Sequence, residues 1–160
     1  MVIKTNRLKI YSSSKEQMEN FISLQSVDDL KVAYTEMLNG CINHSDQWDF
    51  YAIWMVELID GTHIGEMCFK GLSIEGVTEI GYGISEKYQG YGYATEAVSA
   101  LVDWALNQSY VYRIEAEAKE SNIASIRVLE KCGFVRNGDT GEEGTRFSKL
   151  VEFYDKGIDI

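Results

Sequence analysis

Tyr88-Gln89-Gly90-Tyr91-Gly92-Tyr93-Ala94 separates two segments of different hydrophobic period. Before it, Thr78 to Ile84 has the β-branched and aromatic content of a strand. After it, Ala94, Val98, Leu101, Val102 and Ala105 fall on one helical face, while Glu96, Asp103 and Gln108 point elsewhere. A glycine-rich turn thus joins a strand to about four turns of amphipathic helix. Glycines at such a turn let successive backbone N–H groups point into one concavity, and the helix behind adds its unpaired N-terminal donors and the positive end of its dipole. That arrangement suits a pyrophosphate. Two glycines alone describe equally well a turn that does no more than start a helix. A dinucleotide-binding loop of the GxGxxG kind is disfavoured because Thr95 stands where the third glycine belongs, and a P-loop because no Gly-Lys-Ser/Thr ending follows.

Working outward, Arg7 to Tyr11 alternates as a short strand. Ser14 to Gln25 and Asp28 to Asn39 predict two helices with Ser14 and Asp28 as N-caps. Phe50 to Leu58 and His63 to Leu72 are β-rich runs joined through Asp60-Gly61, a dipeptide that supplies the positive φ of a hairpin turn. With Thr78 to Ile84 they predict an antiparallel meander. Trp48, Tyr51 and Trp54 alternate unevenly along one strand and are expected to be mostly core, with at most one facing the acceptor site. Arg113 to Ala118 alternates as a strand, and Asn122 to Cys132 reads as a helix capped by Asn122 and stopped by Gly133. Phe134 to Arg136 and Phe147 to Tyr154 predict a last hairpin around the turn Gly138 to Gly144. The expectation is one α+β domain over residues 1–160, a mixed, mostly antiparallel sheet of roughly six or seven strands flanked by about four helices.

The 160 residues are 45% hydrophobic and 25% charged with no proline, proportions of a folded globular chain. Apolar runs such as Tyr51 to Val56 fall far short of the roughly 20 residues of a membrane span, so no membrane partner is expected. The three cysteines, Cys41, Cys68 and Cys132, are widely spaced and form no metal-ligand pattern. A reducing, cytoplasmic location and no metal are therefore expected. A net charge of −10 opposes nucleic-acid binding. It also favours the approach of a cationic amine, although an acidic surface serves solubility equally.

Gln89-x-x-Gly92-x-Ala94 resembles the Q/R-x-x-G-x-G/A motif of the GNAT superfamily of N-acetyltransferases, which holds the pyrophosphate of acetyl-CoA. Thr5-Asn6-Arg7-Leu8, Glu79-Ile80-Gly81-Tyr82, Thr95-Glu96-Ala97, Asn122-x-x-Ser125 and Glu130-Lys131-Cys132-Gly133-Phe134 resemble, in the same order, the branch containing the ribosomal-protein N-terminal acetyltransferases (the RimJ/RimL type). The resemblance implies a GNAT fold with a splayed sheet and direct acetyl transfer from acetyl-CoA to a primary amine. The acceptor it implies is a protein N-terminus or a small-molecule amine, and a homodimer is common. It further implies cofactor contacts from Gln89, Gly90, Tyr91, Gly92, Tyr93, Ala94 and Thr95, from Tyr82, Gly83 and Ile84 on the pantetheine strand, and from Asn122, Ser125, Arg127 and Lys131 on the later helix. Tyr91 departs from the pattern, since relatives often carry a basic residue there; Lys87, Arg127 and Lys131 are the cations available to compensate.

An alkyl ammonium with pKa near 10.4 is neutral in about one part in a few thousand at pH 7, so a base is useful. Glu79 is the first candidate, because it leads into the pantetheine strand, and Glu117 the second; Glu66 is a weaker third. Alternation puts Glu115 and Glu117 on one strand face, either lining a cleft or facing solvent. The tyrosine that many family members use to protonate the departing thiolate is replaced by Leu129, and Ser125 is the candidate donor in this branch. Without help, a thiolate of pKa near 8.5 can also leave. His44, His63 and Cys132 lie in no nucleophile pattern, which favours direct transfer. Acceptor specificity is expected in Ser26 to Asn43 and Gly138 to Gly144. The rival from another class is an acyl-CoA sensor that binds without turnover.

Overall fold

The computed structural model describes residues 1–152. Its elements run β1 (Val2–Lys4), β2 (Leu8–Ser12), α1 (Lys15–Ser23), α2 (Asp28–Asn43), a 3-10 segment (Ser45–Phe50), β3 (Ile53–Leu58), β4 (His63–Phe69), β5 (Val77–Ile84), a 3-10 turn (Glu86–Tyr88), α3 (Tyr93–Leu106), β6 (Arg113–Ala118), α4 (Ile123–Lys131), β7 (Val135–Thr140) and β8 (Thr145–Leu150). One eight-stranded sheet has the order β1-β2-β3-β4-β5-β6-β8-β7. Every described pair is antiparallel except β5 with β6, which the crossover through α3 makes parallel.

Period-two alternation divides the core between the two faces. Trp54 and Val56 of β3 join Leu8, Ile10 and Ile80 beneath Val98, Leu101, Val102 and Ala105 of α3. Ile53 and Met55 face the other way, against Met18 of α1 and Leu38 and Cys41 of α2. α1 starts with a reciprocal cap, Ser14 accepting from the Gln17 N–H while the Gln17 side chain accepts from the Ser14 N–H. α4 starts where Asn122 Oδ1 accepts from the Ser125 N–H at 3.1 Å, and the chain turns out of it at Gly133 with φ +88°.

The expected meander, β6 and the two amphipathic helices are present. Several boundaries differ. Asp28 lies inside α2, whose N-cap is Val27 without a side-chain hydrogen bond, and the helix runs to Asn43 rather than Asn39. Asp28 and Asp29 act in the first turn through the dipole instead. The run from Phe50 was expected to be strand, but Ser45–Phe50 is a 3-10 segment and β3 begins at Ile53. Trp48 therefore stands on that segment and Tyr51 on its exit; only Trp54 is in the strand. β4 stops at Phe69 because the turn after it puts Gly71 at φ +77°. An eighth strand, β1, is added at the sheet edge, β7 extends to Thr140, and β8 begins at Thr145 and ends at Leu150. The expected strand residues Phe153 and Tyr154 lie outside the described residues.

Leu101 is fully buried at the centre of the α3 face. Leu101→Ala is expected to lower stability by about 3 kcal/mol, the middle of the range for truncating a buried leucine. Urea unfolding, with the midpoint falling at an unchanged m-value, checks this.

Candidate active site

β5 and β6 pair only at Val77↔Arg113, Thr78↔Ile114 and Glu79↔Glu115, although β5 continues to Ile84 and β6 to Ala118. Past Glu79, the edge of β5 that faces β6 has no strand partner among the described residues. Its outward N–H and C=O groups are thus open to a ligand. The last paired rung is held by Arg146 of β8, whose guanidinium lies 2.8 Å from Glu79, 2.5 Å from Glu115 and 2.7 Å from Glu117. Lys70 reaches Glu79 at 2.6 Å. Burial pushes the Glu79 carboxyl up, but the hydrogen bonds and charges of Lys70 and Arg146 outweigh it and hold the group below the ordinary range. Glu117 is held low by Arg146 and by the Glu143 N–H. Both carboxylates are consequently anionic at neutral pH.

A cavity of about 670 Å³ extends from this splay to the glycine loop. Tyr82, Gly83 and Ile84 form one wall; Gln89, Gly90, Gly92, Tyr93, Ala94 and Thr95 form the end; Asn122, Ser125, Arg127 and Lys131 of α4 form the other wall. Gly90 and Gly92 take φ of +84° and +81°, a conformation that strains any residue with a Cβ. Gly92 is the N-cap of α3, so the N–H groups of the helix's opening turn, which have no intrahelical acceptor, belong to residues that line this end. The Gln89 side chain donates to the Ile84 C=O at 2.8 Å, fastening the loop to the end of β5. Tyr91, also expected among the cofactor contacts, is 63% exposed, lies against the Tyr93 ring and is not among the residues that line the cavity. Lys87 sits over the Tyr88 ring instead, leaving Arg127 and Lys131 as the cations on the wall.

Sequence reasoning missed the clamp behind the loop. Arg7 Nε lies 2.8 Å from Glu96, Arg7 Nη1 donates to the Tyr91 C=O at 2.9 Å, and the guanidinium covers the Tyr93 ring at 4.4 Å. The Thr5 hydroxyl donates to the same Glu96 at 2.5 Å. Burial raises the Glu96 pKa, but Thr5 and Arg7 more than offset it and keep the carboxylate ionised. Both ends of the clamp belong to stretches already singled out, Thr5-Asn6-Arg7-Leu8 and Thr95-Glu96-Ala97, yet their pairing across 89 residues has no local signature.

Two smaller clefts adjoin the cavity. One, of about 330 Å³, brings together Glu79, Glu117 and Ser125 with Lys70, Asn122 and Glu143. The other, of about 240 Å³, lies across the sheet between β4, β5 and α2 and includes Tyr34, Met37, Ile53, Glu66 and Cys68. Tyr82 borders all three spaces. Its hydroxyl is 2.8 Å from Ser125 Oγ; burial raises the phenol's pKa and the Ser125 hydrogen bond partly offsets the rise. Leu129 is fully buried and presents nothing to these spaces. Of the stretches expected to touch the acceptor, α2 contributes Tyr34 and Met37 and the Gly138 to Gly144 turn contributes Glu143. His44 stacks on Tyr51 with centroids 4.3 Å apart, whereas His63 lies beside Glu66, Nε2 to Oε1 3.3 Å. Cys132 is buried, which pushes its thiol up to about 11, as befits a small core residue.

Among the described residues no helix is long and apolar enough to cross a membrane. Residues 6–135 match the family described as an acetyltransferase (GNAT) domain. The uncharacterized N-acetyltransferase YjdG of Bacillus subtilis is 37% identical over 67 residues, 42% of this chain and 40% of YjdG. Across the first three curated relatives the matched stretch spans 33% to 44% of their length. The crystal structure of a GNAT-family acetyltransferase from Bacillus anthracis superposes with a TM-score of 0.68 at 25% identity, covering 94% of this chain and 98% of that one. RimL, a ribosomal L7/L12 α-N-protein acetyltransferase solved in complex with coenzyme A, shares the fold with a TM-score of 0.75 at 15% identity, covering 98% and 99% of the two chains. The family match over most of the chain, together with a sheet that splays beside a glycine loop at a helix N-terminus, establishes that the chain belongs to the GNAT acetyltransferase family.

Proposed function

We propose that the chain is an N-acetyltransferase of the RimJ/RimL-type branch, carrying an acetyl group from acetyl-CoA directly to a primary amine. The observation that carries this reading is the meeting of three spaces at Tyr82: the loop cavity, the cleft holding Glu79, Glu117 and Ser125, and the cleft across the sheet. A sensor needs only the first. The residues fit the cofactor. Glycines at positive φ, the opening turn of α3, Arg127 and Lys131 suit an anionic pyrophosphate, and the open edge of β5 suits the amide groups of a pantetheine arm. When bound, acetyl-CoA supplies the acetyl thioester.

In this reading Gly90, Gly92, Tyr93, Ala94 and Thr95 hold the pyrophosphate, with Gln89 bracing the loop. Tyr82, Gly83, Ile84 and Asn122 hold the pantetheine, and a backbone N–H of β5 polarises the carbonyl under attack. Glu79 accepts, through water, the proton that the acceptor's ammonium gives up so that the neutral amine can attack, with Glu117 as the neighbouring carboxylate; their ion pairs keep both in the proton-accepting form. Ser125 Oγ, with the Tyr82 phenol behind it at 2.8 Å, donates a hydrogen bond to the leaving sulfur. The acceptor is a protein N-terminus or a small-molecule amine, the location cytoplasmic and the assembly a homodimer.

Acetyl-CoA at a hundred times its Kd is expected to add about 2.7 kcal/mol, a rise in Tm of roughly 5–10 °C for a chain of this length. ATP or NAD stabilising the chain while acetyl-CoA does not would overturn the cofactor reading. A Tm shift without thiol release on any amine would leave the sensor.

Glu79→Gln is expected to lower kcat about a hundredfold, the lower end for loss of a proton acceptor. Because the Glu79 pKa is depressed, its accepting form is already complete well below neutrality and is lost only on acidification. Between pH 6 and 9 the rise of kcat/KM should therefore follow the acceptor amine, and the variant should keep the same inflection, read from initial rates of thiol release.

Arg7→Ala removes the clamp without touching the cavity. It is expected to raise KM for acetyl-CoA about 5- to 10-fold, the worth of roughly one ordinary hydrogen bond, with kcat little changed.

A further inference from the structure

We propose that the acceptor is a primary monoamine carried on an apolar, aromatic body, bound in the cleft between α2, β4 and β5; this rests on the acetyl-transfer reading above and names its second substrate. The cleft has a volume of about 240 Å³ and meets the cofactor cavity at Tyr82 and Gly83, so an amine entering it arrives at the strand from the face opposite α4. β5 is open on that side because the residues there are Gly81 and Gly83. A Cβ at Gly83 would meet nothing within 4 Å.

The wall is apolar along most of its length. Tyr34 and Met37 come from α2, Ile53 from β3, and Met67 and Cys68 from β4. Behind the lining residue Tyr34, Phe21 of α1 packs edge-on against its ring at 5.0 Å and lies 6.5 Å from the His63 ring. Among the described residues that line it, Glu66 is the one acidic side chain; it sits across the β4–β5 ladder from Gly83, with Oε1 3.3 Å from His63 Nε2. One carboxylate complements one ammonium. A ring on the substrate buries apolar area against Met37 and Ile53 and meets Tyr34 edge or face. A polyamine would bring its second and third ammonium groups to a wall with no further anion, and a peptide would bring amides to a wall with few partners; both lose hydration there without replacement. The volume also suits a small substituent rather than a chain. The more highly charged neighbouring cleft does not offer the missing anion, because Glu79 and Glu117 are tied to Lys70 and Arg146.

The test compares 2-phenylethylamine, spermidine and an alanine-initiated hexapeptide as acceptors, with thiol release as the readout and acetyl-CoA-dependent Tm measured alongside. The expected result is a kcat/KM for 2-phenylethylamine about a hundredfold above either rival, the scale set by stranding a polar group in an apolar pocket. Glu66→Gln should raise KM for 2-phenylethylamine about tenfold while KM for acetyl-CoA stays put, a split that a merely structural loss would not give. Met37→Asp supplies a second anion and should shift the kcat/KM ratio toward spermidine by tenfold or more, its folding checked by a retained acetyl-CoA shift in Tm. Preference of the parent for spermidine or the peptide overturns the monoamine inference and leaves acetyl transfer standing. A preference for 2-phenylethylamine that neither variant alters overturns the placement in this cleft. Thiol release with none of the three acceptors overturns the monoamine inference, and the transfer reading falls with it when no other primary amine gives thiol release.

Discussion

Arg146 is the side chain around which the site is organised. Three glutamates on two parallel strands, Glu79, Glu115 and Glu117, would repel one another if left alone, and a single guanidinium engages all three. The fork geometry of arginine matters here: Nη2 reaches across from Glu115 on β6 to Glu79 on β5 while Nη1 takes Glu117. The parallel pairing ends at the rung that Arg146 spans. The bridge therefore sits at the apex of the splay, joining the strands on one side and leaving them free to part on the other. Removing one partner from such a partly buried network leaves uncompensated charge, which is why the cluster functions as a unit rather than as separate acids.

The glycine loop depends on a second, remote tie. Gly90 and Gly92 are free to take positive φ, and that freedom costs order unless something restrains the turn. Gln89 fastens its start to Ile84 and Arg7 fastens its middle and the first turn of α3, through the Tyr91 carbonyl, the Tyr93 ring and Glu96. A negative residue in the first turn of α3 would ordinarily compete with an anionic ligand for the positive end of the dipole. Pairing Glu96 with Arg7 removes most of that competition while preserving its favourable interaction with the helix.

Local rules made much of this legible. The alternation of Arg113 to Ala118, the cap at Asn122, the stop at Gly133 and the change of period around Gly92 each carry their signal within a few residues. What escaped depends on distance or on weak pattern. β1 is three residues at a sheet edge, too short to show a period. Ser45–Phe50 has the aromatic content of a strand and coils because packing, not propensity, decides it. Asp28 has the composition of an N-cap and was displaced by one residue, a shift no propensity resolves. Glu79 was recognisable as a strand carboxylate beside the loop, but not as one already bound to Lys70 and to Arg146, since the latter lies far along the chain. Tyr91 was singled out by its position in the loop; that Arg7 would hold its carbonyl and that its ring would lie outward against Tyr93 had no local signal.

Gly81-Tyr82-Gly83 shows how one strand can serve two substrates. Alternation sends Tyr82 to the α4 side, where its ring fills the floor of the cofactor cavity and its hydroxyl meets Ser125. The glycines on either side leave the opposite face bare. A side chain at 81 would press on Cys68, 3.3 Å away from its Cβ, and one at 83 would project into open space where the acceptor is proposed to lie. Glycine is costly inside a strand, because it gives up packing and backbone entropy. Its presence twice in the strand segment that lacks a β6 partner is explained by access: a thin strand lets groups on its two faces approach within bonding distance, and a thicker one would hold them apart.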